Sequence, residues 1–143
     1  MLKIDVLTLF PELISVPLSQ SIMGRAAEAG LIEVRAHQLR DWTHDKYRRT
    51  DDYLCGGGQG MLMKCEPIFE AIEELRQENT KVILMTPQGR VFRQPVAEEL
   101  AAPCMEGGDA HYIFLCGHYE GVDQRVLDLF IDEEISIGDY VLT

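Results

Sequence analysis

Hydrophobic and polar positions along the chain form patterns that predict several β-strands. Residues 3–10 alternate and then become apolar, and residues 31–37 alternate throughout, so each segment is predicted to be a strand. Nearly continuous apolar runs at 81–86 and 111–117 are typical of strands buried on both faces of a sheet. A last short strand is predicted at 134–137.

Helical spacing of apolar residues separates these strands. Four segments show it: 19–30, 66–79, 94–103 and 122–131. The apolar stripe of the clearest helix, 66–79, consists of Ile68, Phe69, Ile72 and Leu75. Because helices alternate with largely apolar strands, the sequence predicts an α/β fold with a mainly parallel sheet covered by helices on both faces.

Residues 40–64 interrupt this pattern. The segment has little periodicity, many charges and four glycines between Gly56 and Gly60, which predicts one long loop. Long loops in compact domains are usually functional or mobile. Taken alone, the glycines are more often a flexible loop than a ligand site, and both interpretations stay open at this point.

Charge and composition narrow the class of protein. The 143 residues suffice for about one domain, and the net charge of −11 argues against a nucleic-acid partner. The basic residues are nevertheless concentrated, with five of them between Arg35 and Arg49 against two aspartates. No apolar run reaches the ~18–20 residues of a membrane span, and the N-terminus does not resemble a signal peptide, so we expect a cytoplasmic protein.

The four cysteines and four histidines do not have the spacing of a zinc site, and reduced thiols are the favoured interpretation. We therefore expect no resident metal bound through these residues.

Three strand ends share a composition that suits ligand binding. The strands at 81–86, 111–117 and 134–137 run directly into PQGR, GHYEG and GDYVL. Ligands of open parallel sheets bind beyond the carboxyl ends of strands, and glycine lets the backbone approach them closely. The Rossmann and P-loop glycine motifs are absent, so a nucleotide-like ligand would be held by another device.

These motifs carry a family resemblance. PQGR, CGHYEGVDQRV and DEEISIGDYVL, preceded by LFPE, GRA, RDWTHDKYRRTDD and GGGQGMLM, resemble in the same order the bacterial tRNA (guanine-N1)-methyltransferases of the SPOUT superfamily. Those enzymes methylate the guanine just 3′ of the anticodon. The resemblance implies S-adenosylmethionine as cofactor, tRNA as partner and a homodimer with its active site at the interface. It also implies a SPOUT-type fold with a deep C-terminal trefoil knot, complete or incomplete in this chain.

The resemblance also implies which residues form the site. Cofactor contacts would come from Pro87, Gln88, Gly89, Gly117, Tyr119, Glu120, Gly121, Ile137, Gly138, Asp139, Tyr140, Val141 and Leu142. RNA contacts would come from Lys46, Arg48, Arg49, Asp51 and Gly60. Glu120 is the best candidate for a catalytic contribution, by orienting the methionine amine or a divalent ion, since the family is reported to use magnesium.

The same resemblance predicts that residues 1–143 are the cofactor-binding domain. The family's general-base aspartate and its C-terminal tRNA-binding domain would then lie beyond Thr143. Two alternatives stay open: a cofactor-binding and dimerising fragment without activity of its own, and a different α/β nucleotide-binding protein.

Overall fold

The computed structural model describes residues 1–53 and 60–141. Of the residues singled out above, Gly56 to Gly58 and Leu142 lie outside this part of the chain. The strands, in chain order, are β1 (Leu2–Thr8), β2 (Ile32–Gln38), β3 (Asp51–Tyr53), β4 (Met61–Met63), β5 (Thr80–Val91), β6 (Ala110–Cys116) and β7 (Glu133–Ser136). Five of them form one sheet in the order β2-β1-β6-β5-β7, and every pairing within it is parallel. The predicted parallel sheet is confirmed.

Within residues 1–53 and 60–141, five α-helices connect these strands. They are α1 (Glu12–Leu18), α2 (Ser21–Glu28), α3 (Cys65–Leu75), α4 (Gln94–Met105) and α5 (Gln124–Phe130), with a 3-10 helix at Leu39–Trp42. None of the helices in the described part of the chain is both long and apolar enough to cross a membrane. The predicted helix at 66–79 ends early, at Leu75, because Arg76 adopts extended backbone angles.

Two hydrophobic clusters cover the two faces of the sheet. On one face, α3 and α5 pack against the sheet through Ile72 and Val126, and the rings of Phe69 and Phe130 lie 4.7 Å apart. On the other face, Val96 of α4 packs in a separate cluster with strand residues. Helices therefore cover both faces, as the apolar strands predict. The SPOUT knot stays a prediction.

A series of hydrogen-bonded polar side chains crosses the sheet within this core. The Asp5 carboxylate in β1 contacts Nε2 of His37 in β2 at 2.6 Å and Nε2 of His111 in β6 at 2.7 Å. A carboxylate accepts hydrogen bonds, so both Nε2 atoms donate. The Nδ1 atom of His111 then accepts from the hydroxyl of Thr80, 2.6 Å away, and that hydroxyl accepts from the backbone N–H of Gln77. Four adjacent strands are thus connected.

The prediction of one unstructured loop over 40–64 is wrong. The segment 40–64 contains most of the 3-10 helix and an antiparallel hairpin in which β3 pairs with β4. Each hairpin strand has only three residues, too few for an alternating pattern. The outer edge of β4 is bonded to residues 120–123, a distant part of the sequence.

Strand β5 also extends beyond its predicted end. The sequence predicts a strand to Thr86 followed by a loop, whereas the strand continues to Val91. Its pairing with β7 shifts on the way, since Ile135 faces both Met85 and Arg90. Residues 86–89 have no pairing partner in β7, which makes them an excursion between two paired parts of β5.

Candidate functional site

A cleft lies at the carboxyl edge of the sheet, between the excursion of β5 and the end of β7. Its lining residues are Met85, Thr86, Pro87, Ile135, Ser136, Ile137, Gly138, Tyr140 and Val141. The cleft is open to solvent and encloses about 150 Å³. Complete ligand pockets enclose roughly 300–1,000 Å³, so this cleft has the size to hold one part of a ligand.

The excursion of β5 places Pro87 in the cleft. It returns to the sheet at Gly89, where a Cβ atom would lie 2.5 Å from the carbonyl carbon of Glu134, so only glycine fits. Arg90 then holds the returning strand: its guanidinium bonds Glu99 of α4 at 2.6 Å and Glu133 of β7 at 3.3 Å. Both contacts, the first more strongly, raise the pKa of Arg90. The sequence thus specifies the shape of this wall.

The opposite wall is a compact turn after β7. The Ser136 hydroxyl donates to the carbonyl of Gly138 at 2.8 Å and accepts from its N–H at 3.1 Å. The ring of Tyr140 lies against Gly138, because a Cβ there would be 2.1 Å from Cε1 of the tyrosine. The hydroxyl of Tyr140 donates to the carbonyl of Ile137 at 3.4 Å. Glycine is required at 138 for this packing.

The third predicted loop, after β6, begins beside the cleft. Cys116 pairs with Met85, so the loop starts next to the excursion of β5. Tyr119 and Gly121 have left-handed φ values of +60° and +150°, which fix a tight turn around Glu120. The side chain of Glu120 is exposed. The loop does not itself line the cleft.

Five of the predicted cofactor residues therefore meet in one place: Pro87, Ile137, Gly138, Tyr140 and Val141. Others lie on the adjoining turns without lining the cleft: Gln88, Gly89, Gly117, Tyr119, Glu120, Gly121 and Asp139. Sequence reasoning missed the lining residues Met85, Thr86, Ile135 and Ser136. Ile135 and Ser136 are the last residues of β7, and Met85 and Thr86 are the last residues of the strand predicted at 81–86. The residues assigned to the site begin immediately after each of these pairs.

Two titratable groups, one at the end of β6 and one in the loop after it, are shifted toward their neutral forms. Burial raises the pKa of the Cys116 thiol to about 11, so the thiol stays protonated at neutral pH. Burial, with a smaller contribution from Arg40, lowers the pKa of His118, whose ring meets Phe10 edge-on at 5.1 Å. A neutral thiol is a poor nucleophile, and this argues against covalent catalysis by Cys116.

Two of the five basic residues between Arg35 and Arg49 form ion pairs with the aspartates of the same segment. Arg48 forms an ion pair with Asp41, and Arg49 bonds Asp45 at 3.0 Å. Asp51 lies in β3, opposite Met63. The RNA contacts assigned to this segment stay predictions, since phosphate binding would have to compete with these pairs.

The magnesium expectation also stays a prediction. Among residues 1–53 and 60–141, no three His, Cys, Asp or Glu side chains are grouped so that they could hold a metal ion.

Comparisons with known proteins agree with the resemblance. The family model described as tRNA (Guanine-1)-methyltransferase TrmD matches residues 2–143. A Ruminiclostridium cellulolyticum protein named tRNA (guanine-N(1)-)-methyltransferase is 50% identical over 99% of this chain and 60% of its own length. Proteins of the same name from Dictyoglomus turgidum and Geotalea uraniireducens are 50% and 52% identical over 100% and 99% of this chain.

The chain spans a little over half of each relative, 56% of the latter two. Near-complete coverage of this chain by both the family model and these relatives decides the assignment. The chain belongs to the tRNA (Guanine-1)-methyltransferase family.

Proposed function

We propose that this chain binds S-adenosylmethionine in the cleft and takes part in methyl transfer to N1 of the guanine 3′ of the tRNA anticodon. The observation that carries the proposal is the cleft at the carboxyl edge, whose two walls are the PQGR and GDYVL motifs. The names of the relatives support the reaction and its acceptor.

The residues present fit the cofactor. Ile137, Tyr140 and Val141 offer an apolar surface for an adenine ring. Residues 86–89 have no partner in β7, and of their backbone N–H groups that of Gln88 donates to the Thr86 hydroxyl at 3.5 Å. We assign the other peptide groups of this segment to the polar edge of the base. Gly89 lets the two walls approach closely, and Gly138 lets the ring of Tyr140 pack against the turn of its own wall. Leu142, assigned to the same surface, lies outside the described residues. Once bound, S-adenosylmethionine supplies an electrophilic methyl group on a sulfonium cation.

Two exposed carboxylates suit that cation and its amine. Asp139 follows the turn at Gly138, and Glu120 lies on the loop that begins beside the cleft. Opposite charge within a few ångströms stabilises a sulfonium or ammonium group. We assign Glu120 to orienting the methionine amine. Removal of the N1 proton of guanine is a separate requirement of the reaction, and we assign it to none of the described residues.

We further propose a cytoplasmic homodimer. Leu13, Val16 and Ile22 on α1 and α2 expose 71%, 62% and 68% of their surface. Apolar side chains grouped in this way mark interaction surfaces. A second copy of the chain is the occupant that the proposed function favours.

One experiment tests binding of the methyl donor, and a second tests the identity of the methyl-accepting nucleotide. Calorimetric titration with S-adenosylhomocysteine should show saturable binding, and a folded sample that binds none would refute the donor assignment. Radioactive S-adenosylmethionine is then supplied with two tRNA transcripts that carry guanine or adenine 3′ of the anticodon. Label in the guanine transcript alone is expected from a protein that also supplies the general base, whereas equal label in both transcripts would contradict the acceptor.

A further inference from the structure

The hairpin made by β3 and β4 is bonded directly to the loop after β6. The Glu120 N–H donates to the Met61 carbonyl at 3.0 Å, and the Met63 N–H donates to the Gly121 carbonyl at 3.0 Å. The Asp123 N–H donates to the Met63 carbonyl at 3.3 Å. Backbone hydrogen bonds from β4 therefore hold residues 120–123 in place.

Side-chain packing also holds the loop after β6 against β4. Met63 is 1% exposed, and its sulfur accepts a hydrogen bond from the His118 N–H at 3.2 Å. Gly60, just before β4, lies directly against the side chain of Glu120. A Cβ at position 60 would be 2.3 Å from Cγ of Glu120 and 3.0 Å from Cδ. Gly60 also has a φ of +116°, which L side chains rarely adopt.

We propose that Gly60 and β4 act as a positioning element for Glu120. The missing side chain at position 60 makes room for the Glu120 methylenes, and the bonds from β4 fix the backbone that carries them. This inference rests on the proposed function, since it concerns how the cofactor loop is shaped. It gives Gly60 a role in cofactor binding that is separate from its predicted contact with RNA.

The test compares two glycine substitutions. In Gly60→Ala the new methyl group meets both the left-handed φ and the Glu120 side chain. Gly107→Ala is the matched control: its φ is +86°, and a Cβ there would meet nothing within 4 Å. We expect Gly60→Ala to weaken S-adenosylhomocysteine binding on the order of tenfold, and Gly107→Ala to change it less than about twofold. Equal losses in the two variants would overturn the proposal.

A double substitution shows whether Gly60 acts through Glu120. Glu120→Ala removes the atoms that a Cβ at position 60 would meet, so adding Gly60→Ala to it should cause little further loss of affinity. A further loss as large as that of Gly60→Ala alone would contradict a positioning role.

Hydrogen exchange gives a readout that needs no ligand. Gly60→Ala should speed exchange of the amides of Glu120 and Met63 and leave β6 protected. Unchanged exchange at these two amides would overturn the proposal even if no cofactor bound. The wild-type chain could fail to bind S-adenosylhomocysteine while Gly60→Ala still speeds exchange at these two amides. In that case the proposed function fails and the positioning contact stands.

Discussion

At the scale of single residues, Asp5 shows how a buried charge is accommodated in this sheet. It is 7% exposed, and each carboxylate oxygen receives one histidine Nε2 atom. The sequence shows three separate polar residues at positions 5, 37 and 111. Only the pairing of β1 with both β2 and β6 brings them together, so periodicity alone could not predict their contact.

Replacing Asp5 tests how much that hydrogen-bond network contributes to the free energy of unfolding. Asp5→Ala leaves the buried His111 and the partly buried His37 without their acceptor, and the free energy of unfolding should fall by about 3 kcal/mol. Urea denaturation followed by circular dichroism measures the change. Asp109→Ala is the control, since its partner is the exposed N-terminal amine and its own side chain is 84% exposed. Similar losses in both variants would show that burial of Asp5 contributes little.

The residues of the candidate site were predicted in part. Pro87, Gly138 and Tyr140 line the cleft, because strand ends of a parallel sheet converge on one edge. Gly60 was predicted as an RNA contact, and its packing against Glu120 was not foreseen. That contact joins residues sixty positions apart, and a single sequence carries no local signal for it.

At the scale of elements, strands with an extended apolar pattern were predicted well and short ones were not. β1, β2 and β6 begin and end within two residues of the predicted bounds. β3 and β4 escaped prediction because their stability comes from pairing with each other and with the loop after β6. The second part of β5 escaped for the same reason, since it is defined by its partner β7.

The start of α5 offers a test at this scale. Asp123 caps the helix: its carboxylate accepts from the Arg125 N–H at 2.9 Å. Asp123→Ala should lower the free energy of unfolding by about 1 kcal/mol at pH 7. Asp128→Ala on the same helix is the control, because Asp128 bonds only the exposed Gln124 side chain among its described contacts.

The pH dependence of this effect follows from the Asp123 pKa. Hydrogen bonding with Arg125 lowers the pKa of Asp123 below its ordinary value. A lowered folded-state pKa stabilises the protein above the unfolded-state pKa and loses this contribution as the pH falls through the folded-state value. The difference between wild type and Asp123→Ala should therefore persist from pH 7 to about 5 and shrink below about 4. A difference that grows in acid would contradict the assigned cap.

At the scale of the whole molecule, the strand order determines which motif-bearing segments lie next to one another. β6, β5 and β7 are neighbours, so the ends of three motif-bearing strands meet at one edge of the sheet. The sequence predicts that such a sheet exists, and the family resemblance predicts which loops converge. The order itself depends on long-range pairing, and the register shift between Met85 and Arg90 that opens the cleft is visible only in the structure.

The most direct test of the central claim is a map of where the methyl-donor product binds. Amide chemical shifts of the isotopically labelled chain are followed during titration with S-adenosylhomocysteine. The largest shifts are expected at residues 85–89, 117–121 and 136–141, around the cleft and the adjoining loop. Shifts concentrated elsewhere, for example around the buried Asp5 network, or no shifts at all in a folded sample, would contradict the assignment of this cleft as the cofactor site.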